Sequence, residues 1–168
     1  YGALCEEIGR ACSSTRSLLT VHDMVCQAIQ RWGTDAQKDQ WLPLLASGEK
    51  LGAFCLSEAE VGSDAASVRT IAEATRGGFL LNGSKKWITF GQIANVLLVI
   101  ALYEGRPTAF IVDGTTPGLS RQPIENMLGM RGATGADIQL FRDGAKEIKA
   151  ILDEEGVGNM PLGIDVVE

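Results

Sequence analysis

The sequence predicts an α+β chain: N-terminal helices, then an antiparallel β-barrel or sandwich-like middle domain, then a short helical C-terminal tail. Three observations predict it. Apolar residues recur at helical spacing from residue 1 to about residue 31. From residue 51 the period shortens, and brief apolar or alternating runs are punctuated by Gly, Asn and Pro. Helical spacing returns after about residue 142. The expected units are a partial N-terminal helical domain over 1–50, a middle β-domain over 51–141 and an atypical helical tail over 142–168.

In chain order, Leu4, Ile8, Cys12, Leu18, Leu19, Val25 and Ile29 define the first helical stretch, with a break expected near 12–14. Thr34-Asp35-Ala36-Gln37 has capping-box form, because the Thr hydroxyl and the Gln side chain can satisfy amides at a helix start. With Ser47-Gly48 as a stop, a helix is expected over about 35–46. Strands are expected at 51–57, 68–75, 78–82, 85–90, 95–102, 107–112 and 118–122. Arg76-Gly77-Gly78 and Asn82-Gly83 tolerate positive φ, which predicts two consecutive hairpins. In the tail, Ile148, Ile151 and Leu152 share a helical face until Gly156, Gly158 and Pro161 interrupt it.

Composition narrows the function. With 168 residues, 45% of them hydrophobic, the chain can bury a core. The formal net charge is −6 and the basic residues are scattered among acidic ones, so nucleic acid is not an expected partner. The longest apolar run, Val96 to Leu102, is far shorter than the roughly 20 residues that span a bilayer, so no membrane span is expected. The opening residues from Tyr1 onward read as helix interior, and the sequence is taken as a fragment. Cys5, Cys12, Cys26 and Cys55 lack metal-ligand spacing, so no metal site is expected; three fall on apolar helical positions, which suits buried, reduced thiols in a cytoplasmic protein. His22 lies among Val21, Met24 and Val25 and reads as a satisfied helical histidine without a nucleophilic partner. The acidic run 153–155 reads as a solvated helix end.

Two segments carry candidate chemistry. Phe54-Cys55-Leu56-Ser57-Glu58-Ala59-Glu60-Val61-Gly62-Ser63-Asp64 is an apolar strand running into a loop of small and hydroxyl residues, which exposes N–H and O–H groups to an anion. In Leu81-Asn82-Gly83-Ser84-Lys85-Lys86-Trp87-Ile88-Thr89, strand alternation places Trp87 and Thr89 on one face and Ile88 on the other. A flat ring could meet both the indole and the hydroxyl. Taken singly, Trp87 reads as a core aromatic and Ser57, Ser63 and Thr89 as ordinary turn or strand residues.

In this order, and about two dozen residues apart, the two segments resemble the acyl-CoA dehydrogenase family, whose pattern is close to Thr-Glu-Pro-x-Ala-Gly-Ser-Asp followed by Gly-x-Lys-x-Trp-Ile-Thr. The resemblance also takes in Arg31-Trp32-Gly33-Thr34, Gln40-Trp41-Leu42-Pro43-Leu44-Leu45, Gly48-Glu49-Lys50 and Met127-Leu128-Gly129-Met130-Arg131-Gly132, and it covers about residues 1 to 140. Within the family, residues 13–25 and 87–94 look most like enzymes that oxidise carrier-protein-bound units in polyketide extender pathways.

The resemblance implies an FAD-dependent acyl-thioester dehydrogenase acting on acyl-CoA or acyl carrier protein, with a carboxylate base in a C-terminal helical bundle outside this chain and assembly as a homo-oligomer. It implies cofactor contacts from Phe54, Leu56, Ser57, Gly62, Ser63, Trp87, Ile88 and Thr89. Among these, the Leu56 N–H and the Ser57 hydroxyl would meet the flavin pyrimidine edge, Thr89 would lie near N5, Trp87 would lie against the ring system, and Ser63 would touch the diphosphate or the substrate's pantetheine arm. Ser57 stands where Thr is usual, and Ala59 and Glu60 replace the usual Pro and small residue. Phe90 stands where many relatives carry Asn. After Asp137 the family would continue into a Phe-x-x-Val-x-Val-Pro-like strand and a helical bundle, which this sequence does not follow. Residues 145–156 and 161–165 instead look like the N-terminal domain of creatinase and aminopeptidase-P-like proteins, as a chimeric join near Phe141 would produce. Two alternatives stay open: a non-catalytic interaction module that keeps the β-domain, and an acyl-thioester oxidase in which oxygen reaches the reduced flavin.

Overall fold

A computed structural model describes residues 1–140; the expected tail over 142–168 and the proposed join near Phe141 lie outside the described residues. Three helices come first: α1 (Gly2–Ala11), α2 (Ser13–Trp32) and α3 (Asp35–Ala46). Cys12 is extended between α1 and α2, so the break falls where the helical spacing falters. The capping box at α3 forms as expected: the Gln37 N–H donates to Thr34 Oγ1 at 3.2 Å and the Thr34 N–H donates to Gln37 Oε1 at 2.9 Å.

Seven strands follow: β1 (Gly52–Cys55), β2 (Ile71–Thr75), β3 (Gly78–Ile88), β4 (Val96–Tyr103), β5 (Arg106–Asp113), β6 (Leu119–Pro123) and β7 (Ala136–Leu140). They form one curled sheet in the order β1-β4-β2-β3-β7-β6, with β5 paired to β4. The sheet is mixed rather than purely antiparallel, because β1 runs parallel to β4 from Gly52↔Val96 to Cys55↔Val99. β4 reads in sequence as an unbroken apolar run because both of its faces are covered. Leu97, Val99 and Ala101 enter the interior of the curl, while Val96 and Leu98 meet Val25, Ile29, Trp41 and Leu45 of the helices.

Three corrections concern strands. Asn82-Gly83 is not a turn: the segments expected at 78–82 and 85–90 are one strand, β3, whose first half pairs β2 and whose second half pairs β7. Glycine is required at 83 by a close approach, since a Cβ there would lie 2.8 Å from Thr70 Cα. The strand expected at 68–75 starts only at Ile71, because the Arg69 and Thr70 N–H groups donate to the Glu58 carboxylate instead of to a neighbouring strand. A strand after Asp137, read from sequence as absent, exists as β7, with the alternating burial of a half-covered strand between β3 and β6.

His22 joins the helices to the sheet. The Gly52 N–H donates to Nδ1 at 3.1 Å, so Nε2 carries the proton and donates to the Leu45 carbonyl at 3.1 Å. The cysteine expectation holds in part. All four are free thiols, but only Cys55 is buried, and Cys12 is exposed because it sits in the break between helices. Burial pushes the Cys55 thiol up to about 12, outweighing the opposing pull of Lys85 and Arg121, so it is inert at neutral pH. Among the described residues, no helix is long and apolar enough to cross a membrane, and no group of three or more His, Cys, Asp or Glu side chains could hold a metal ion.

Candidate functional site

The loop after β1 and the end of β3 come together although 29 residues separate Leu56 from Lys85. Three bonds join them. The Lys86 N–H donates to the Ser57 carbonyl at 2.8 Å. Lys85 Nζ donates to the Leu56 carbonyl at 3.1 Å and to Glu58 Oε1 at 2.6 Å. The Lys85 side chain is fully buried and that of Glu58 is 7% exposed, so this is an ion pair inside the protein.

The Glu58 carboxylate is surrounded by donors. Oε1 accepts from Lys85 Nζ, the Thr70 hydroxyl and the Thr70 N–H, and Oε2 accepts from the Arg69 N–H at 2.7 Å. Burial alone would raise its pKa, but these bonds outweigh it and pull the carboxyl down to about 2. Burial holds Lys85 below its ordinary value, with the carboxylate opposing.

Beyond Glu58 the chain closes a tight turn, in which the Glu58 N–H donates to the Val61 carbonyl at 2.8 Å and the Val61 N–H returns to Glu58 at 3.3 Å. Ala59 and Glu60 form its exposed tip, and Glu60 makes an ion pair with Arg69, so its charge is turned to solvent and neutralised there. Gly62 and Ser63 follow, both exposed, with open space around Gly62.

The end of β3 carries an extra residue opposite β7, a bulge between Lys85 and Ile88. Trp87 sits in this bulge with φ 60°, left-handed for a bulky aromatic, and its side chain is exposed (67% for the residue). Asp137 on β7 holds the bulge: its carboxylate accepts from the Trp87 N–H at 3.3 Å and from Lys86 Nζ. Phe90 also has positive φ, at 58°, yet is buried, with its N–H donating to the Ala133 carbonyl at 2.7 Å. It therefore covers apolar surface.

The bulge breaks the strict alternation expected over 85–90: Lys85 and Ile88, three residues apart, are both buried, Trp87 between them is exposed, and Thr89, half-buried, lies past the end of β3. Leu56, Ser57, Trp87 and Thr89 lie on the two joined segments. The side chains of Phe54 and Ile88 are spent on apolar packing, Phe54 on the helix-facing side and Ile88 inside the curl. Any ligand contact from those two comes through backbone. Gly62 and Ser63 lie past the tight turn, on the same loop but beyond the joined pair. The hydroxyls of Ser57, Ser63 and Thr89 bond no other described residue.

Sequence reasoning missed Glu58, Lys85 and Asp137. A signal for Lys85 was present, since alternation puts it in phase with the buried Leu81, and a lysine facing inward needs a carboxylate.

Comparison with known proteins identifies the family and the fold. Residues 1–49 match the acyl-CoA dehydrogenase N-terminal domain and residues 53–142 the acyl-CoA dehydrogenase middle domain. An acryloyl-CoA reductase (NADH) from Anaerotignum propionicum is 37% identical over 159 residues, which cover 90% of this chain and 40% of that protein. Among solved structures, a glutaryl-CoA dehydrogenase from Mycobacterium smegmatis in complex with FADH2 superposes with TM-score 0.85 and 33% identity, over 90% of this chain and 40% of its own. A protein for biosynthesis of the methoxymalonyl extender unit of the polyketide Fk520 superposes with TM-score 0.79 and 30% identity, over 87% of this chain and 42% of its own. The chain thus spans about two fifths of the length of these relatives. On the strength of both matched regions and the two joined segments, the chain belongs to the acyl-CoA dehydrogenase family.

Proposed function

We propose that this chain forms the flavin-contacting part of an FAD-dependent acyl-thioester dehydrogenase, with acyl-CoA as the first substrate class to test and acyl carrier protein as the second. The observation that carries the proposal is the exposed Trp87, held at a left-handed φ in a bulge beside two hydroxyls, Ser57 and Thr89, that no described residue satisfies. Backbone strain of this kind costs about 1–3 kcal/mol and persists where surrounding structure over-determines it, often at ligand sites. The residues present fit a flat, polar-edged heterocycle.

FAD held here would supply a hydride acceptor for the oxidation of an acyl thioester to its α,β-unsaturated form, the hydride coming from the β-carbon and the α-proton going to a carboxylate. The chain's part is to bind and orient. The Leu56 N–H and Ser57 hydroxyl would hold the pyrimidine edge, Thr89 would hold N5, Trp87 would cover the ring, and Ser63 would hold a diphosphate or pantetheine arm. Phe54, Gly62 and Ile88 contribute backbone. The base comes from elsewhere in the protein: Glu58 is held at about 2 by its donors, and Asp137 is already bonded to Lys86 and Trp87. Assembly as a homo-oligomer is proposed with it, supported by exposed apolar side chains such as Trp32, Ile71 and Leu128.

The test is the visible absorption spectrum of the purified protein carrying this sequence, desalted with and without added FAD. Retained flavin bands that bleach on addition of a short acyl-CoA are expected. A folded protein that retains no flavin refutes the proposal and favours an interaction module, and steady peroxide release during turnover assigns an oxidase instead.

A further inference from the structure

We propose that the buried Lys85–Glu58 pair is a positioning device for the flavin face: by holding the Leu56 carbonyl inward, Lys85 turns the Ser57 N–H outward and fixes it beside the Trp87–Thr89 edge. This inference rests on the flavin reading above and adds to it a role for two residues outside the predicted contact set.

The argument begins with one peptide. Every described peptide bond is trans, so the carbonyl of Leu56 and the N–H of Ser57 point in opposite directions. The carbonyl is committed to Lys85 Nζ at 3.1 Å beneath the loop. The N–H of the same peptide therefore points away from the buried lysine, and no described residue accepts from it. The next carbonyl, that of Ser57, is committed to the Lys86 N–H, so both peptides flanking Ser57 are fixed in orientation from the β3 side.

Glu58 completes the device. Its four donors come from Lys85 and from Arg69 and Thr70, so one carboxylate ties the loop, the approach to β2 and the end of β3 to a single point. Glycine at 83 lets Thr70 close on β3 at this point. A buried ion pair is seldom more stabilising than apolar side chains of the same size, and its better-attested use is to fix geometry. An apolar residue at 85 could fill the space but could not hold a carbonyl, and the Ser57 peptide would be free to flip.

The test compares the wild-type protein with the double variant Glu58→Gln/Lys85→Met, which leaves no buried charge unpaired. Far-UV circular dichroism establishes that the variant is folded. Amide exchange at Lys86, whose N–H is held by the Ser57 carbonyl, is expected to quicken at least tenfold, with the helices unchanged, and FAD to bind at least tenfold more weakly with a shifted flavin absorption band. A measurement on wild type alone needs no variant: the Ser57 amide exchanges freely without FAD and becomes protected when FAD is added. Protection of Ser57 without FAD overturns the proposal. So does equal FAD affinity in the wild type and the folded double variant, which leaves the flavin reading standing. A wild-type protein that takes up no FAD refutes the flavin reading, and this role with it.

Discussion

Replacing Glu58 by Gln while leaving Lys85 in place tests how much the buried carboxylate contributes to stability. In the folded chain the carboxyl is pulled from its ordinary 4.5 to about 2, since bonds to Lys85, Thr70 and Arg69 overcome the opposing effect of burial. A fall of that size corresponds to roughly 3 kcal/mol of folding stability. Because the folded value is depressed, this contribution is fully present above pH 4.5 and is lost as pH falls from 4.5 towards 2. Lys85 is lowered by burial, so its linkage acts at the alkaline end and leaves the acid limb to the carboxylate. The variant also strands a buried ammonium beside a neutral amide, so the expected loss at pH 6 is about 3–5 kcal/mol. Urea unfolding followed by tryptophan fluorescence, at several pH values between 6 and 3, measures both quantities. Wild type should weaken steeply below pH 4.5 and the variant should start weaker with a shallower acid limb. A variant within about 0.5 kcal/mol of wild type at pH 6, or one with an equally steep acid limb, would show that the pair does not hold this loop.

Other perturbations separate structure from site. Gly83→Ala drives a Cβ to 2.8 Å from Thr70 Cα, and a cost of about 2–4 kcal/mol is expected by thermal unfolding. His22→Ala removes the links to Leu45 and Gly52, and denaturant unfolding should show a loss of about 1–3 kcal/mol. Trp87→Gly suits the left-handed backbone and removes a mostly exposed side chain, so the melting temperature should not fall while FAD affinity, read by flavin fluorescence, drops at least tenfold.

The sequence was most legible where one local rule acted alone. Helical spacing, the Thr34–Gln37 capping box and the Arg76-Gly77 turn each stand where expected, because their partners lie within a few residues. It misled at Asn82-Gly83, where the glycine answers a tertiary approach by Thr70 rather than a turn, and at β1–β4, whose parallel pairing no local signal announces. β7 was missed because its side chains depart from the family's motif while keeping alternation, and alternation is what its place between β3 and β6 requires. At the candidate site, the outward-facing residues were named, together with Phe54 and Ile88, whose side chains pack inward, while the charged pair beneath the loop was not. Trp87 and Thr89 announce themselves as chemistry, whereas Glu58 and Lys85 read as ordinary charges until the fold brings them together.

The change of partner along β3 at Gly83 has a kinetic consequence. β3 meets β2 through a two-residue turn, so its first half can form as soon as that hairpin closes. Its second half has no partner until Ala136–Leu140 arrives, about fifty residues further along, and β1 likewise waits for β4. Contacts that span so much chain form late and slowly, since loop closure is unfavourable before any pairing offsets it. The bulge at Trp87 lies on the half that waits, so a nascent or refolding chain should acquire its helices and its two tight hairpins well before it acquires the ability to grip a ligand.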